Sequence, residues 1–249
     1  MMITMHDSKS NKLFVFKSRL ANGAVISAPP LDFFHTTIHL SLVSPTGGGK
    51  SIAIKLILAS IARNRAYKDT EILILDPKNY EYRPFENLAN VFLGEKVVDG
   101  FNQVYERFER RLNGLESSNN LLLLVIEEYS SLLLHYDKKT QEEIKAKMAR
   151  LLMMSRVFNI RCIFVMQRFD SAYFTNGSRD NITTRIAFGT LSKESQRMLF
   201  PDCEEIEPQP KRHGYFYIDG KGITKIIVPT VRHFEKLDND IARFLAKNT

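Results

Sequence analysis

The sequence is poor in cysteine and contains no tryptophan. Its two cysteines, Cys162 and Cys203, form neither a CxxC motif nor a Cys/His ligand spacing. A disulfide framework or a zinc site is therefore not expected. Cys162 lies within an apolar run and is expected to be a small core residue. This cysteine usage favours a reducing, cytoplasmic environment.

The sequence also lacks a long uninterrupted apolar run. The most apolar stretch, 121–134, is broken by Glu127 and Glu128, so it is not expected to span a bilayer. The first ten residues lack the apolar segment of a secretory signal. We therefore expect no transmembrane segment within this chain, and any membrane association would require a partner.

The composition is that of an ordinary globular protein with an excess of positive charge. Its 249 residues are 44% apolar and 25% charged, which suits one α/β domain with modest appendages or at most two small domains. The formal net charge of +7 favours a polyanionic partner, nucleic acid before an acidic membrane surface. A merely basic enzyme would carry the same charge, so the charge supports a nucleic-acid partner without selecting it.

Strand and helix patterns alternate along the chain. Buried strands are predicted at 37–43, 71–75, 121–126, 162–166 and 185–188, and helices at 50–66, 98–115, 138–158 and 238–246. Short β-rich segments around Asn22-Gly23 predict an N-terminal hairpin, and segments 214–218 and 223–228 predict a C-terminal hairpin. The alternation predicts an α/β fold with a mostly parallel sheet flanked by helices, in which ligands bind beyond the carboxyl ends of the strands.

A glycine-rich loop joins the first predicted core strand to the first helix. Residues 44–51 read SPTGGGKS, and glycines let backbone N–H groups turn inward around a phosphate chain at a helix N-terminus. The predicted phosphate cradle comprises Thr46, Gly47, Gly48, Gly49, Lys50, Ser51 and Ile52. Lys50 would reach the β- and γ-phosphates of ATP, and the Ser51 hydroxyl would ligate Mg²⁺. Ser44 replaces the usual first glycine, and a glycine turn beside a coincidental lysine is the alternative interpretation.

An acidic pair, Glu127-Glu128, follows the predicted strand 121–126. A buried strand that ends in two carboxylates is the Walker B arrangement. Glu127 would hold the Mg²⁺ shell, and Glu128 would act as the general base on the attacking water. Glu127 is one methylene longer than the usual aspartate, which either brings its carboxylate closer to the metal or forces it aside. The alternative is an ordinary solvated pair at a strand end.

Four blocks in order resemble the FtsK/SpoIIIE branch of the HerA-FtsK motor ATPases. They are SPTGGGKS at 44–51, ILILDPK at 72–78, LLLVIEEYSSL at 122–132 and IFVMQR at 163–168. NITTRIAF at 181–188 and SKESQRMLF at 192–200 also resemble the stretch that follows in these translocases. The resemblance covers 36–234, and it implies a RecA-like P-loop core that acts as an ATP-driven double-stranded DNA pump in a homo-oligomeric ring, taken as a hexamer. Residues 1–35 would then form an N-terminal extension, and 36–249 the motor domain.

The resemblance also implies roles for residues outside the glycine-rich loop and the acidic pair. Gln167 would sense the γ-phosphate, and Arg156 or Arg185 would reach a neighbour's ATP as an arginine finger. Each arginine could equally be a surface or salt-bridged residue. Two loops would face the ring interior and could touch DNA phosphates, unless they are ordinary solvated loops. Their candidate contacts are Lys78, Tyr80, Tyr82 and Arg83 in the first loop, and Arg168 and Arg179 in the second.

The chain leaves no room for the membrane helices or the winged-helix domain of the bacterial division translocases. By analogy, it resembles a stripped motor of a conjugative plasmid, integrative element or phage, with a relaxase or a membrane-anchored transfer machine as a candidate partner. Two alternatives stay open. One is a single-strand helicase or a phage assembly ATPase. The other is a weakly hydrolysing, nucleotide-gated coupling or scaffold protein that binds DNA, which Ser44 and Glu127 would favour.

Overall fold

A single ten-stranded sheet runs through the computed structural model, which describes residues 10–203 and 206–248. The strands are β1 (Lys17–Arg19), β2 (Val25–Ser27), β3 (Leu40–Val43), β4 (Glu71–Asp76), β5 (Val91–Leu93), β6 (Leu122–Glu127), β7 (Ile160–Met166), β8 (Thr184–Phe188), β9 (His213–Ile218) and β10 (Gly222–Ile227). The helices are α1 (Lys50–Arg63), α2 (Val97–Leu112), α3 (Tyr129–Leu134), α4 (Lys138–Met154), α5 (Lys193–Leu199) and α6 (Phe234–Lys247).

The spatial order of the strands is β2-β1-β10-β9-β8-β3-β7-β6-β4-β5. Neighbouring strands from β8 to β5 pair in parallel, and those from β8 to β2 pair antiparallel. The mostly parallel sheet predicted from the alternating pattern is therefore confirmed. The three central strands β3, β7 and β6 place their carboxyl ends side by side, and these are the strands that carry the predicted nucleotide-binding motifs.

Each central strand contributes apolar side chains to both faces of the sheet. Successive side chains of a strand point in opposite directions, so Val125 of β6 packs in the core layer with α1 and α6. Its neighbour Leu124 packs in the second layer with α2 and α4. Burial on both faces explains why β6 has no polar alternation, and it fixes the register that brings Glu127 to the carboxyl edge.

The two predicted hairpins form one continuous antiparallel extension of the sheet. β1 pairs with β2 in the N-terminal hairpin, and Lys17 of β1 lies opposite Ile227 of β10. The buried ring of Phe16 packs against Phe188 and Phe216, at centroid separations of 6.0 and 6.4 Å. The N-terminal hairpin therefore shares the main core. Strand β5 and the short helices α3 and α5 were not predicted from the sequence.

Two further expectations concern the core and membrane spans. Cys162 is fully buried in β7, as expected for a small core residue. Within residues 10–203 and 206–248, no helix has both the length and the apolar character needed to cross a bilayer.

Candidate functional site

Three predicted motif segments meet at the carboxyl edge of the sheet. In the parallel register, Val43 lies beside Met166, and Val165 lies beside Glu127. The glycine-rich loop leaves β3, the acidic pair ends β6, and Gln167 follows β7. Three adjacent strands therefore deliver a phosphate loop, two carboxylates and an amide to one place, as expected for a nucleotide site in such a sheet.

The glycine-rich loop has the backbone shape of a phosphate cradle. Gly49 precedes α1 with a φ of 113°, a left-handed conformation that disfavours other residues. A Cβ on Gly48 would lie 2.0 Å from the Oγ of Ser44, so the loop has no space for a side chain there. The backbone N–H of Arg212 donates to the carbonyl of Gly48 at 3.0 Å. The loop is thus compact, glycine-dependent and placed at a helix N-terminus that favours anions.

Lys50 and Glu128 face each other across this edge. The Nζ of Lys50 lies 4.0 Å from Oε2 of Glu128, and both side chains are largely buried. Glu128 has a left-handed backbone, with a φ of 54°, and its N–H donates to the carbonyl of Val165 at 2.7 Å. Its carboxylate accepts hydrogen bonds from the Ser130 hydroxyl at 2.9 Å and from the Gln167 backbone N–H at 3.3 Å. The proposed phosphate lysine and general base are therefore close enough to act on one nucleotide.

Glu127 is buried beside this pair. Its Oε2 has no hydrogen-bond partner among residues 10–203 and 206–248. Burial raises the pKa of Glu127 to about 8, and the nearby charges of Glu81, Asp76 and Glu128 act in the same direction, while Lys50 opposes them. A buried carboxylate among like charges is poorly stabilised in its ionised form. A bound cation would stabilise it, so this carboxylate suits a divalent metal.

The Ser51 hydroxyl donates to Oε1 of Glu81 at 2.6 Å. With the unpaired oxygen of Glu127, this hydroxyl supplies the oxygen ligands that Mg²⁺ prefers, and Mg²⁺ commonly takes its remaining ligands from water and nucleotide phosphates. The residues at this edge therefore fit both predicted ligands, ATP and Mg²⁺. Thr46 and Gly47 are exposed at the mouth of the loop, while Ile52 is half-buried in the first turn of α1.

The remaining catalytic candidates lie in different surroundings. Gln167 is exposed at the carboxyl edge, where its strand β7 lies between β3 and β6. Arg156 is exposed in the turn after α4, just before β7 begins, and so lies toward the opposite, amino-terminal edge. Arg156 therefore does not lie with the predicted site residues at the carboxyl edge.

Arg185 is buried in β8 and bound within its own chain. Its guanidinium donates to the carbonyls of Ile182 and Leu199, at 3.0 and 3.1 Å. It also lies 3.7 Å from an Asp219 carboxylate oxygen and 5.3 Å from the ring centroid of Tyr217. These contacts favour the alternative left open by the sequence, a salt-bridged structural arginine.

The loop after β4 is folded around Asp76, which is fully buried. The Asp76 carboxylate accepts the backbone N–H groups of Lys78, Tyr80 and Tyr82, at 3.1, 3.0 and 3.1 Å. Tyr80 is 78% exposed, whereas Tyr82 is buried. The expectation that Tyr82 touches DNA is therefore wrong, because the clamp on Asp76 turns its side chain into the core.

The other candidate DNA contacts differ in whether their charged groups already form ion pairs within the chain. Arg83 is exposed on the loop after β4. Lys78 instead points at the catalytic edge, with its Nζ 3.5 Å from Oε2 of Glu128. In the segment after β7, Arg168 forms an ion pair with Glu194 of α5, and the Nε of Arg179 lies 3.5 Å from an Asp180 carboxylate oxygen.

Sequence reasoning did not place Lys78 and Glu81 among the residues around Ser51 and Glu128. Both follow β4, and the register places Leu75 beside Ile126, one residue before the acidic pair. The carboxyl end of β4 was expected to carry polar function, but its side chains were assigned to DNA. The signal that could have found them was the adjacency of β4 and β6, which the linear sequence does not show.

Comparison with known proteins agrees with this geometry. The family described as "Helicase HerA, central domain" matches residues 31–161. The DNA translocase FtsK of Treponema pallidum is 24% identical over 210 residues, which cover 72% of this chain and 25% of that protein. The FtsK domain-containing protein YdcQ of Bacillus subtilis is 24% identical over 231 residues, covering 86% of this chain and 47% of YdcQ. This chain thus spans about a quarter to about half of these relatives.

Solved structures show the same fold. The pCW3 conjugation coupling protein TcpA, determined with ATPγS, aligns with a TM-score of 0.68 at 17% identity, over 93% of this chain and 71% of that chain. ATPases 2 and 3 of EssC from Geobacillus thermodenitrificans align with a TM-score of 0.69 at 13% identity, over 96% of this chain and 49% of that chain. Because the family match covers more than half of the residues and includes the glycine-rich loop and the acidic pair, the chain belongs to the HerA/FtsK family of P-loop ATPase domains.

Proposed function

We propose that this chain is the motor of an ATP-driven double-stranded DNA translocase, which hydrolyses ATP at the subunit interfaces of a homo-oligomeric ring, taken as a hexamer. The observation that carries the proposal is the convergence of Lys50, Glu127 and Glu128 beside a glycine-lined loop. Relatives that are themselves DNA translocases support DNA as the substrate. The net charge of +7 suits a polyanion.

The chain's own residues divide the chemistry of hydrolysis. The glycine-rich loop binds the phosphates, and Lys50 neutralises charge on the β- and γ-phosphoryl oxygens. Glu128 accepts a proton from the attacking water, and Ser130 and the Gln167 backbone hold its carboxylate in place. Mg²⁺, held by Ser51 with Glu127 beside it, would supply further neutralisation of the phosphate charge. Arg156 of one subunit would complete the site of its neighbour.

Contacts to DNA would come from the loops at the carboxyl edge. Tyr80 and Arg83 are exposed on the loop after β4, and Arg168 and Arg179 lie on the segment after β7. Such contacts would be mostly to phosphate, so binding should depend strongly on salt and little on sequence. We place the motor in the cytoplasm, where a relaxase or a membrane-anchored transfer machine could recruit it.

One observation favours a second candidate, a nucleotide-gated coupling protein that hydrolyses weakly. The carboxylate of Glu128 lies within 3.5 Å of Lys78 as well as 4.0 Å from Lys50. Two lysines beside this carboxylate compete with the attacking water for its oxygen atoms. In this reading, the protein binds DNA and recruits it to a transfer machine, and turnover is incidental.

The test is the rate of ATP hydrolysis with and without duplex DNA, for the wild type, Glu128→Gln and Glu86→Gln. Glu86 is exposed on the turn after β4 and serves as the matched control. The translocase predicts stimulation by duplex DNA, loss of hydrolysis only in Glu128→Gln, and assembly beyond a monomer in gel filtration with ATP. Displacement of a triplex strand would show duplex translocation, whereas unwinding of a forked duplex would favour a single-strand helicase. A wild-type rate near zero with DNA would favour the coupling protein.

A further inference from the structure

The Ser51 hydroxyl, which follows the phosphate lysine, donates a hydrogen bond to Glu81. The Oγ of Ser51 lies 2.6 Å from Oε1 of Glu81. A serine hydroxyl has one proton and two acceptor lone pairs. The group that accepts the hydrogen bond therefore decides which way the lone pairs face, and only the lone pairs can bind a metal ion. In this chain Glu81, from the loop after β4, accepts the hydrogen bond of Ser51.

We propose that Glu81 is a positioning residue of the metal site: it accepts the hydrogen bond of the Ser51 hydroxyl and thereby turns the hydroxyl's lone pairs toward a Mg²⁺ ion that binds with the nucleotide. The proposal rests on the proposed function, in that it assumes Mg²⁺–ATP as the ligand. It assigns to a residue outside both sequence motifs the task of orienting a metal ligand, a task that outer partners of metal ligands commonly perform.

The carboxylates of Glu81 and Glu127 then have different tasks. Glu81 is occupied by the Ser51 hydroxyl. Glu127, at the end of β6, keeps Oε2 without a partner among residues 10–203 and 206–248. The unpaired oxygen of Glu127 is therefore available to the ion or its water shell.

The position of Glu81 is fixed by its neighbours in the chain. The backbone N–H groups of Tyr80 and Tyr82, on either side of it, both donate to Oδ2 of the buried Asp76, at 3.0 and 3.1 Å. Tyr82 is buried as an anchor. Glu81 thus emerges from a clamped turn rather than from a free loop, and a fixed acceptor can hold Ser51 before the nucleotide arrives.

The test measures the Mg²⁺ concentration that half-saturates binding of a fluorescent, non-hydrolysable ATP analogue. Four proteins are compared: the wild type, Glu81→Ala, Glu81→Gln and the matched control Glu86→Ala. We expect Glu81→Ala to need about 10- to 100-fold more Mg²⁺, with unchanged affinity for the analogue in EDTA and an unchanged melting temperature. Glu81→Gln should recover most of the Mg²⁺ affinity, since its amide oxygen still accepts the Ser51 proton, and Glu86→Ala should match the wild type.

Three results would overturn the proposal. The first is that Glu81→Ala and the wild type require the same Mg²⁺ concentration. The second is that Glu81→Ala loses as much affinity for the analogue in EDTA as it loses with Mg²⁺ present. The third is that Glu81→Gln is as impaired as Glu81→Ala. The second result would mean that Glu81 merely holds the phosphate loop in shape. Because the assay contains neither DNA nor hydrolysis, a chain that binds Mg²⁺–nucleotide without DNA-stimulated turnover would refute the translocase and leave the role of Glu81 intact.

Discussion

The Nζ of Lys78 lies 3.5 Å from Oε2 of Glu128. This contact joins the end of β4 to the end of β6 and brings a lysine from the predicted DNA loop to the carboxylate proposed as general base. The Lys78 side chain is 45% exposed, whereas that of Glu128 is 8% exposed. The lysine therefore connects the solvent-facing loop with the buried site, and its charge lies beside the proposed general base.

Lys78→Ala and Arg83→Ala should separate these two effects. We expect Lys78→Ala to lower the rate of ATP turnover about tenfold even without DNA, because one charge-assisted contact that holds the proposed base is lost. Arg83→Ala should leave DNA-free turnover unchanged and weaken DNA binding at all sequences. The slope of log affinity against log salt should fall by about one in Arg83→Ala. Steady-state hydrolysis and salt-dependent DNA binding measure both. A Lys78→Ala protein altered only in DNA binding would contradict this assignment.

The collision at Gly48 predicts a loss that a second substitution repairs. In Gly48→Ala the new Cβ would lie 2.0 Å from the Oγ of Ser44. Overpacking of this kind costs about 1–3 kcal/mol, so nucleotide affinity should fall about tenfold or more. Ser44→Gly removes the colliding atom and restores the usual first glycine of the motif. The double variant should therefore recover most of the affinity for a fluorescent ATP analogue, with Ser44→Gly alone as the control.

Failure of the double variant to regain affinity would mean that the loop tolerates no Cβ at position 48 for another reason. The next nearest atom outside Ser44 is the carbonyl oxygen of Pro45, at 3.2 Å. That distance is tight but leaves room for a small adjustment, so recovery remains the expected result.

The two arginines that the sequence offered as candidate arginine fingers, Arg156 and Arg185, should behave in opposite ways. Arg185→Ala removes a buried guanidinium with two backbone hydrogen bonds, and it should lower the free energy of unfolding by about 2–4 kcal/mol. Arg156 is exposed, so Arg156→Ala should change the free energy of unfolding by no more than about 0.5 kcal/mol. If Arg156 acts as an arginine finger, its loss should slow hydrolysis by about 10³-fold.

Mixing subunits tests the direction of the Arg156 effect. Arg156→Ala subunits keep Glu128, and Glu128→Gln subunits keep Arg156, so mixed rings should regain part of the activity that each lacks alone. Rings without regained activity, or an Arg156→Ala protein with the wild-type rate, would contradict a trans-acting role for Arg156.

Buried His39 predicts a specific loss of stability in acid. Its Nδ1 accepts the backbone N–H of Cys162 at 2.9 Å. Burial, aided by the charge of Arg161, lowers the pKa of His39 from 6.5 to about 3. Below pH 6.5 the imidazole of His39 is protonated in the unfolded chain but stays neutral in the folded chain. Its contribution to the free energy of unfolding is therefore fully present above pH 6.5 and is lost as the pH falls from 6.5 to 3. This one group should contribute about 1.4 kcal/mol per pH unit.

Urea denaturation at pH 7.5, 6 and 5 measures this contribution. His39→Asn keeps an acceptor for the Cys162 N–H but cannot titrate, so its stability should fall less steeply than that of the wild type. The exposed His135 provides the control, because His135→Asn should keep the wild-type slope. Parallel slopes for wild type and His39→Asn would show that His39 is not held neutral.

The fold could be predicted where the signal lies within one segment. The apolar run before Glu127 and the glycine-rich loop before Lys50 each identify a strand end, and alternation of strands and helices gives the parallel sheet. Strand β5 (Val91–Leu93) has three residues, too few to show a period. The pairing of Lys17 with Ile227 joins residues from opposite ends of the chain, and no local pattern reports such a contact.

Prediction of the candidate site from the sequence was limited in the same way. Lys50, Glu127 and Glu128 were predictable because each lies at a fixed position after a recognisable strand or loop. The contacts of Lys78 with Glu128 and of Glu81 with Ser51 depend on the neighbouring placement of β4 and β6 and on the turn around Asp76. Tyr82 was misassigned for the same reason. A loop residue's side-chain direction follows from backbone hydrogen bonds that the sequence alone does not display.

The most direct measurement of the central claim is single-turnover hydrolysis of radiolabelled ATP by Lys50→Ala and Glu128→Gln, with nucleotide binding measured in parallel. If Lys50 and Glu128 serve one nucleotide, Lys50→Ala should lose binding, while Glu128→Gln should bind ATP as tightly as the wild type and hydrolyse it about 10²–10⁴-fold more slowly. A Glu128→Gln protein that hydrolyses bound ATP at the wild-type rate would contradict the account.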